Sequence, residues 1–363
     1  MHPALNTSLV ELLGSRYPIV QTGMGWVAGP KLVSATCNAG AFGIIASATM
    51  TYDELVVAIA DTKRRTTAPF GVNLRADADD VRQRLELLVR EGVPVASFAQ
   101  APKKDLIDYL HDHGVKVMPS IGAKRHAEKV MEWGVDAILV QGGEGGGHTG
   151  SVPTSLLLPE VVDVVGGRVP VVAAGGYFDG RGLVSALAYG ASGIAMGTRF
   201  LLTSDSAVPA DVKKAYLGTG VTGTVVTTKI DGAPHRVIRT DLVEQMDGAS
   251  PITAVPKAVL NAAKFRKYTG LSWIQMAREG LAMKKRMDLP WAEVIMAGNT
   301  PILTKVTLCD GDLDAGILPT GQVVGVIGDL PTADELVRRI IAEAEATLDR
   351  LAGRTPGSSI QES

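Results

Sequence analysis

The densest chemistry in the chain lies in one stretch of ten residues, Gln141-Gly-Gly-Glu144-Gly-Gly-Gly147-His148-Thr149-Gly150. A loop this rich in glycine has little side-chain packing of its own, and its backbone can lie closely against a flat ligand. His148 sits inside it. An imidazole titrates near neutral pH, so it suits proton transfer or donation to a substrate oxygen. The other histidines lack that setting: His111, His113 and His126 fall on helical patterns, His2 is terminal, and His235 lies in a later segment. Two more glycine clusters end apolar runs, Ala173-Ala174-Gly175-Gly176 and Ala195-Met196-Gly197-Thr198-Arg199-Phe200. Backbone N–H groups there could reach phosphate oxygens, with a following helix N-terminus adding positive charge and Thr198 a hydroxyl donor. Two earlier runs end in Gln21-Thr22-Gly23-Met24-Gly25-Trp26 and Gly71-Val72-Asn73-Leu74. Small residues and an amide suit a planar ring, with backbone on one face and Asn73 on its edge. Met24 either packs that ring or belongs to the core.

Other chemistries find less support. Glu144 and His148 make two metal ligands without a third nearby, so no metal centre is expected. The fifth and sixth apolar runs end in Pro119-Ser120 and Gln141, with no lysine for imine chemistry. No G-x-G-x-x-G follows the first run, which argues against a Rossmann dinucleotide site. Lys plus Arg is 36 against 38 Asp plus Glu, a net charge of −2. That balance, without a basic patch interleaved with aromatics, excludes the usual nucleic-acid binder. Cys37 and Cys309 are too few for a disulfide framework and suit a reducing compartment. Met1–Pro18 lacks a basic region followed by an unbroken apolar stretch, and no run of 18 apolar residues occurs. A cytoplasmic protein without a membrane span is expected.

The elements that must position these loops are regular. Candidate strands are Tyr17–Thr22, Gly43–Ala46, Phe70–Leu74, Val93–Phe98, Lys116–Pro119, Ala137–Val140, Pro170–Ala174 and Gly193–Met196. They recur every ~21–33 residues, the period of βα units. Helical patterns such as Tyr52–Arg64 and Asp77–Glu91 lie between them, and Thr51-x-x-Glu54 reads as a capping box. Eight units with glycines at the strand C-termini predict an α/β chain folded as a (β/α)8 TIM barrel; a doubly wound open sheet is the rival. The 41 glycines among 363 residues, against a usual ~7%, fit many close turns.

The barrel is expected over 1–206. A smaller, mainly helical lid or substrate domain is expected over 207–299, with helical patterns at Val255–Lys267 and Trp273–Met287. Residues 300–352 return to the barrel and end in a helix opened by Thr332-x-x-Glu335 and stopped by Gly353. Residues 353–363 read as a tail.

Taken together, PIVQTGMGW, NAGAFGIIA, PFGVNL, the GGEGGGHTG loop and VVAAGGYFDG followed by ASGIAMGTRF resemble the FMN-dependent barrels of the nitronate monooxygenase family. That family includes the flavin-dependent enoyl-acyl-carrier-protein reductase II. The resemblance covers Tyr17 to about Ser204 and resumes over Gly311–Gly328, where GILPTGQVVG matches the closing segment. It implies FMN. Gly23, Met24 and Gly25 would contact its ring, and Asn73 its reactive edge. Gln141 would meet the ribityl or ring side, with Gly147 in the same loop. Gly175, Gly176, Gly197 and Thr198 would hold the phosphate, Gln322 would close the site, and His148 would take the active-site histidine position. Nitronate-oxidising members usually carry a lysine near the fifth strand end and an acidic residue where Gln141 stands. Met118-Pro119-Ser120-Ile121 and Ala233-Pro234-His235-Arg236-Val237-Ile238-Arg239 are closer to the reductase pattern.

Within the family the chain is similar to actinobacterial members acting on CoA thioesters of ring-degraded steroids. The implied reaction moves hydride between NAD(P)(H), flavin and an α,β-unsaturated or hydroxylated cyclic acyl-CoA thioester. Nitronate oxidation is the alternative, and a non-redox phosphate-binding lyase or isomerase the second. Arg236 and Arg239, with Lys264, Lys267, Lys284 and Lys285, are candidates for CoA phosphates or, equally, a solvated face. A homodimer is left open.

Overall fold

A computed structural model describes residues 1–247 and 303–354. Eight parallel strands close into a barrel: β1 (Ile19–Gln21), β2 (Phe42–Ala46), β3 (Gly71–Leu74), β4 (Val95–Phe98), β5 (Lys116–Ile121), β6 (Ile138–Gln141), β8 (Val171–Ala174) and β9 (Gly193–Met196). Closure comes from β9 pairing with β1, Ile194 opposite Ile19 and Met196 opposite Gln21. All eight expected runs form strands, each shifted by at most two residues at its start, and the open-sheet rival is excluded. β7 (Gly147–His148) stands outside the barrel.

The barrel interior is filled by strand residues such as Val20, Ile44, Val95, Leu139 and Val172, all buried. Both faces of these strands are covered, so they read as continuous apolar runs and not as alternating ones. The helix α1 (Ser8–Leu13) adds Leu9 and Leu13 to that cluster. Leu9 lies beside Gly193, the first residue of β9. This packing plugs the N-terminal end of the barrel and leaves the chemistry to the opposite end.

Helices α2 (Pro30–Asn38), α3 (Tyr52–Arg65), α4 (Val81–Arg90), α5 (Lys104–Asp112), α6 (Lys124–Glu132), α7 (Thr154–Val165), α8 (Gly180–Ala188) and α9 (Thr198–Leu201) follow the strands. The expected capping box is present on α3: Glu54 N–H donates to Thr51 Oγ1, and Thr51 N–H to Glu54 Oε2. The pattern at Asp77–Glu91 becomes a helix only from Val81, after Asp80 as N-cap.

Two compact units divide the chain: Met1–Gly145, Gly150–Ala207 and Ile327–Ser363, and Gly146–Thr149 with Val208–Val326. The second unit therefore runs past 299 and also takes four residues of the glycine loop. Its described part is not only helical. It has α10 (Ala210–Leu217), α11 (Asp241–Asp247) and an antiparallel sheet ordered β10 (Thr224–Thr227), β11 (His235–Ile238), β7. The helical patterns at 255–267 and 273–287 and Lys264, Lys267, Lys284 and Lys285 lie outside the described residues, as does most of the 353–363 tail.

The last helix, α12 (Ala333–Leu351), carries the second capping box, Thr332 with Glu335. Ahead of it, Asp329 binds two guanidiniums: Arg199 Nη2 donates to its Oδ1 at 2.7 Å and Arg339 Nη1 to its Oδ2 at 2.6 Å. Arg199 is 4% exposed and Asp329 48%. Partial burial pushes the Asp329 carboxyl up, but the two arginines outweigh it and hold it below the usual carboxylate range. A depressed folded-state pKa stabilises the fold above the unfolded value of about 4, and the contribution is lost as pH falls through the folded one. Asp329→Asn is expected to cost ~1–3 kcal/mol at pH 7. The figure for a fully buried pair is discounted because the carboxylate is half in water. Thermal melts should show a variant deficit at pH 7 that shrinks below pH 4. A constant deficit across that range would contradict the ionic origin.

Candidate functional site

Most residues expected to hold a cofactor gather at the C-terminal strand ends of the barrel unit. The loop after β1 lies against β3: a Cβ placed on Gly23 would fall 2.5 Å from Asn73 Cβ. Asn73 Nδ2 donates to Ser97 Oγ at 3.4 Å, and its backbone carbonyl accepts from Ser47 Oγ at 2.6 Å. Its amide is thus fixed at the end of β3. Met24 is half-buried and absent from the core. Its sulfur would stand 3.4 Å from a Cβ on Gly197, and Thr22 Oγ1 3.2 Å. The ends of β1 and β9 therefore meet around Met24. Trp26, next in this loop, has φ of 65°, the only left-handed non-glycine among the described residues. Such backbone strain is held by surrounding structure and concentrates at functional loops.

The loop after β6 is stitched to the start of α7. Glu144 Oε2 accepts from Thr154 N–H at 2.9 Å and Thr154 Oγ1 at 2.6 Å. Gln141 packs over Gly145, where a Cβ would meet its Nε2 at 2.5 Å. Gly175 and Gly176 follow β8 with φ of 97° and 84°, two consecutive left-handed residues that only glycine adopts without strain. A Cβ on Gly176 would have its nearest atom, Glu144 Cβ, at 3.7 Å. The turn is thus open on the side a side chain would fill.

The structure corrects the helix-dipole expectation. The helix N-terminus after Gly175-Gly176 is already satisfied by protein carboxylates. Gly182 N–H donates to Asp179 Oδ1 and Gly180 N–H to Glu343 Oε2, both at 2.8 Å. The helix after β9 is a single turn of four residues, with Thr198 buried at its start. An anion at these strand ends would rest on loop N–H groups and the Thr198 hydroxyl, with little help from helix dipoles. The donor set still fits a flat, phosphorylated group: a fixed amide, a thioether, glycine backbone and an open left-handed turn.

The second unit contains the rest. Gly147 is left-handed, φ 68°, and Gln322 opens a short 3-10 helix, Gln322–Val326. His148 is paired across the sheet with His235, and Thr149 N–H donates to Pro234 O at 3.0 Å. His148 Nε2 lies 2.7 Å from Asp231 Oδ2, and its ring centroid 4.7 Å from that of His235. His235 Nδ1 is 3.6 Å from the same carboxylate oxygen. Burial pushes the Asp231 carboxyl up, yet the hydrogen bond from His148 and the nearby charges of His148 and His235 hold it well below its usual range.

Sequence reasoning missed Asp231 and His235. The signal was Asp231-Gly-Ala-Pro-His235, an Asp and a His bracketing turn residues, with Gly232 left-handed at φ 84°. The two residues weighed for a metal, Glu144 and His148, have separate partners, Thr154 and Asp231. Arg236 Nη1 donates to Thr224 Oγ1 at 3.0 Å across the sheet, whereas exposed Arg239 comes only to 4.0 Å from Glu244. Among the described residues no helix is long and apolar enough to cross a membrane.

The profile of the nitronate monooxygenase family matches residues 6–343. The (3aS,4S,5R,7aS)-5-hydroxy-7a-methyl-1-oxo-octahydro-1H-indene-4-carboxyl-CoA dehydrogenase of Mycobacterium tuberculosis is 58% identical over 341 residues, 94% of this chain and 96% of the relative. The dehydrogenase of the same name from Rhodococcus jostii is 56% identical over 96% of this chain and 98% of its own. FabK of Thermotoga maritima superposes with a TM-score of 0.78 at 30% identity, covering 96% of this chain and 99% of its own.

Proposed function

Because this chain belongs to the nitronate monooxygenase family of flavin-dependent oxidoreductases, we propose that it is an FMN-dependent dehydrogenase of a bicyclic β-hydroxyacyl-CoA thioester from steroid ring breakdown. NAD(P)(H) is its proposed electron partner. The observation that carries the reading is the pair of strand-end clusters, Gly23-Met24-Gly25 with Asn73 and Gly175-Gly176 with Gly197-Thr198. In the relatives' named substrate the hydroxyl is on C5, next to the C4 that bears the thioester carbonyl, so the carbinol carbon stands β to that carbonyl.

Bound FMN would supply two-electron acceptor chemistry to that carbon. The chain's residues do the rest. Gly23, Met24, Gly25 and Asn73 would orient the ring, with Gln141 on its ribityl side, Gly147 in the adjoining loop and Gln322 closing over it. Gly175, Gly176, Gly197 and Thr198 would hold the phosphate. His148 accepts the proton that the substrate loses as it is oxidised. Arg236 and Arg239 are the described cations proposed for the CoA phosphates.

The test is stopped-flow spectroscopy of the flavin-loaded protein with the hydroxyindane-carboxyl-CoA, NAD(P)H and alkyl nitronates in parallel. Flavin bleaching by the thioester and reoxidation by NAD(P)+ is expected. Turnover of nitronates with oxygen, without response to the thioester, would transfer the chain to the nitronate-oxidising branch. Catalysis unaffected by flavin removal would favour a lyase or isomerase.

A further inference from the structure

We propose that Asp231 is the positioning residue for His148: it holds the imidazole by Nε2–H and makes Nδ1 the atom that takes the substrate proton. The role of the proton rests on the dehydrogenase reading above; the tautomer does not. His148 is 64% exposed, whereas Asp231 is 11% exposed. An exposed imidazole ordinarily samples several rotamers and both neutral tautomers. Here the backbone is pinned by the β7–β11 pairing, and the ring is tied at 2.7 Å to a carboxylate. That carboxylate is itself fixed, because Ala233 N–H donates to its Oδ1 at 3.2 Å. A carboxylate kept ionised accepts only, so Nε2 must be the donor and Nδ1 carries the lone pair of the neutral ring.

In the oxidising direction a bond from Nδ1 to the substrate proton forms as that proton's bond to the substrate breaks. The hydride lost from the neighbouring carbon would pass to the two-electron acceptor that bound FMN supplies, and the electron pair left by the proton closes the new double bond. The imidazolium left on His148 faces the Asp231 carboxylate, which stabilises the charge as it develops.

His235 discriminates this arrangement from a metal site. The three donor atoms of His148, Asp231 and His235 all lie within 4.8 Å of one another. Donors around a tetrahedral zinc at ~2.0–2.1 Å stand roughly 3.3–3.5 Å apart. The 2.7 Å between His148 and Asp231 is a hydrogen-bond length, and His235 Nδ1 at 3.6 Å is outside one. His235 is 6% exposed, and among the described residues neither of its ring nitrogens has a hydrogen-bond partner. Its ring packs beside that of His148, centroid to centroid 4.7 Å. Removing its nitrogens should therefore do little.

The experiment uses flavin-loaded Asp231→Asn, His148→Ala, the double variant and His235→Leu, with the hydroxyindane-carboxyl-CoA as substrate. Asp231→Asn should lower kcat by about 10²-fold with KM and flavin content unchanged. In the His148→Ala background the same substitution should change kcat by less than about twofold, since it acts through a ring no longer there. His235→Leu should keep most activity, and the wild-type protein should hold no stoichiometric metal. Imidazole 15N spectra should show His148 in the Nε2–H form, lost in Asp231→Asn.

An Nδ1–H tautomer, multiplicative losses in the double variant, or a bound metal abolished by His235→Leu would overturn the proposal. Absence of wild-type turnover would remove the dehydrogenase reading, and the 15N spectra would still decide the tautomer.

Discussion

His148→Ala is expected to lower kcat with the hydroxyindane-carboxyl-CoA by 10²–10⁴-fold while flavin content and melting temperature stay near wild type. The range is that of a lost general base. Stability should survive because the ring is 64% exposed and adds little to any core. Removing the ring leaves Asp231 with the Ala233 N–H and access to water where the imidazole stood. Flavin should survive because the residues proposed to hold it, Gly147 and Gln322 apart, belong to the barrel unit, and His148 does not. The outcome is read from steady-state kinetics beside the flavin absorbance of the purified variant. Unchanged turnover would remove His148 from the reaction. Loss of flavin with loss of turnover would make it a cofactor contact.

The barrel was legible in the sequence because its signals are local. Each strand is a short apolar run, and Thr51 with Glu54 and Thr332 with Glu335 mark helix starts within four residues. Closure through β9 onto β1 is not local, and it was reached only by counting eight units. The loops proposed for the cofactor stood out because left-handed backbone leaves a glycine in the sequence, as at Gly175 and Gly176. The His148–Asp231 pair was only half legible. His148 stood out by its loop, but its partner is 83 residues away, in the turn between β10 and β11, and such a contact has no period to read. The sheet that makes it was obscured too. β7 is two residues long, and its pairing with β11 depends on tertiary context, not on strand propensity. The helix-dipole expectation failed for a related reason: the carboxylate that satisfies Gly180 belongs to Glu343, far along the chain on α12.

Gly176→Val is expected to give a folded protein that has lost most of its affinity for FMN, and two separate effects predict the two halves of that outcome. The first is strain. Gly176 has φ of 84°, and a β-branched residue held there costs on the order of 1–3 kcal/mol. The fold should tolerate that cost, because the new Cβ meets no backbone: its nearest atom would be Glu144 Cβ at 3.7 Å. The second is obstruction. A valine there projects into the open side of the turn where the phosphate is proposed to sit. Breaking one charge-assisted N–H hydrogen bond to the phosphate costs ~1.5–3 kcal/mol, and blocking the turn breaks more than one, so the dissociation constant should rise by about 10²-fold or more.

Strain alone can be subtracted with Gly167→Val. Gly167 is also left-handed, φ 73°, with nothing within 4 Å of where its Cβ would stand, but it lies in the turn after α7. That variant should lose similar stability and keep its flavin. Riboflavin provides the complementary control, since it lacks the phosphate. Titrations should show Gly176→Val bringing FMN down to the affinity of riboflavin while riboflavin binding changes little. Equal weakening of both would mean that the turn contacts the ring end of the cofactor, and unchanged FMN binding would remove Gly175-Gly176 from the site altogether.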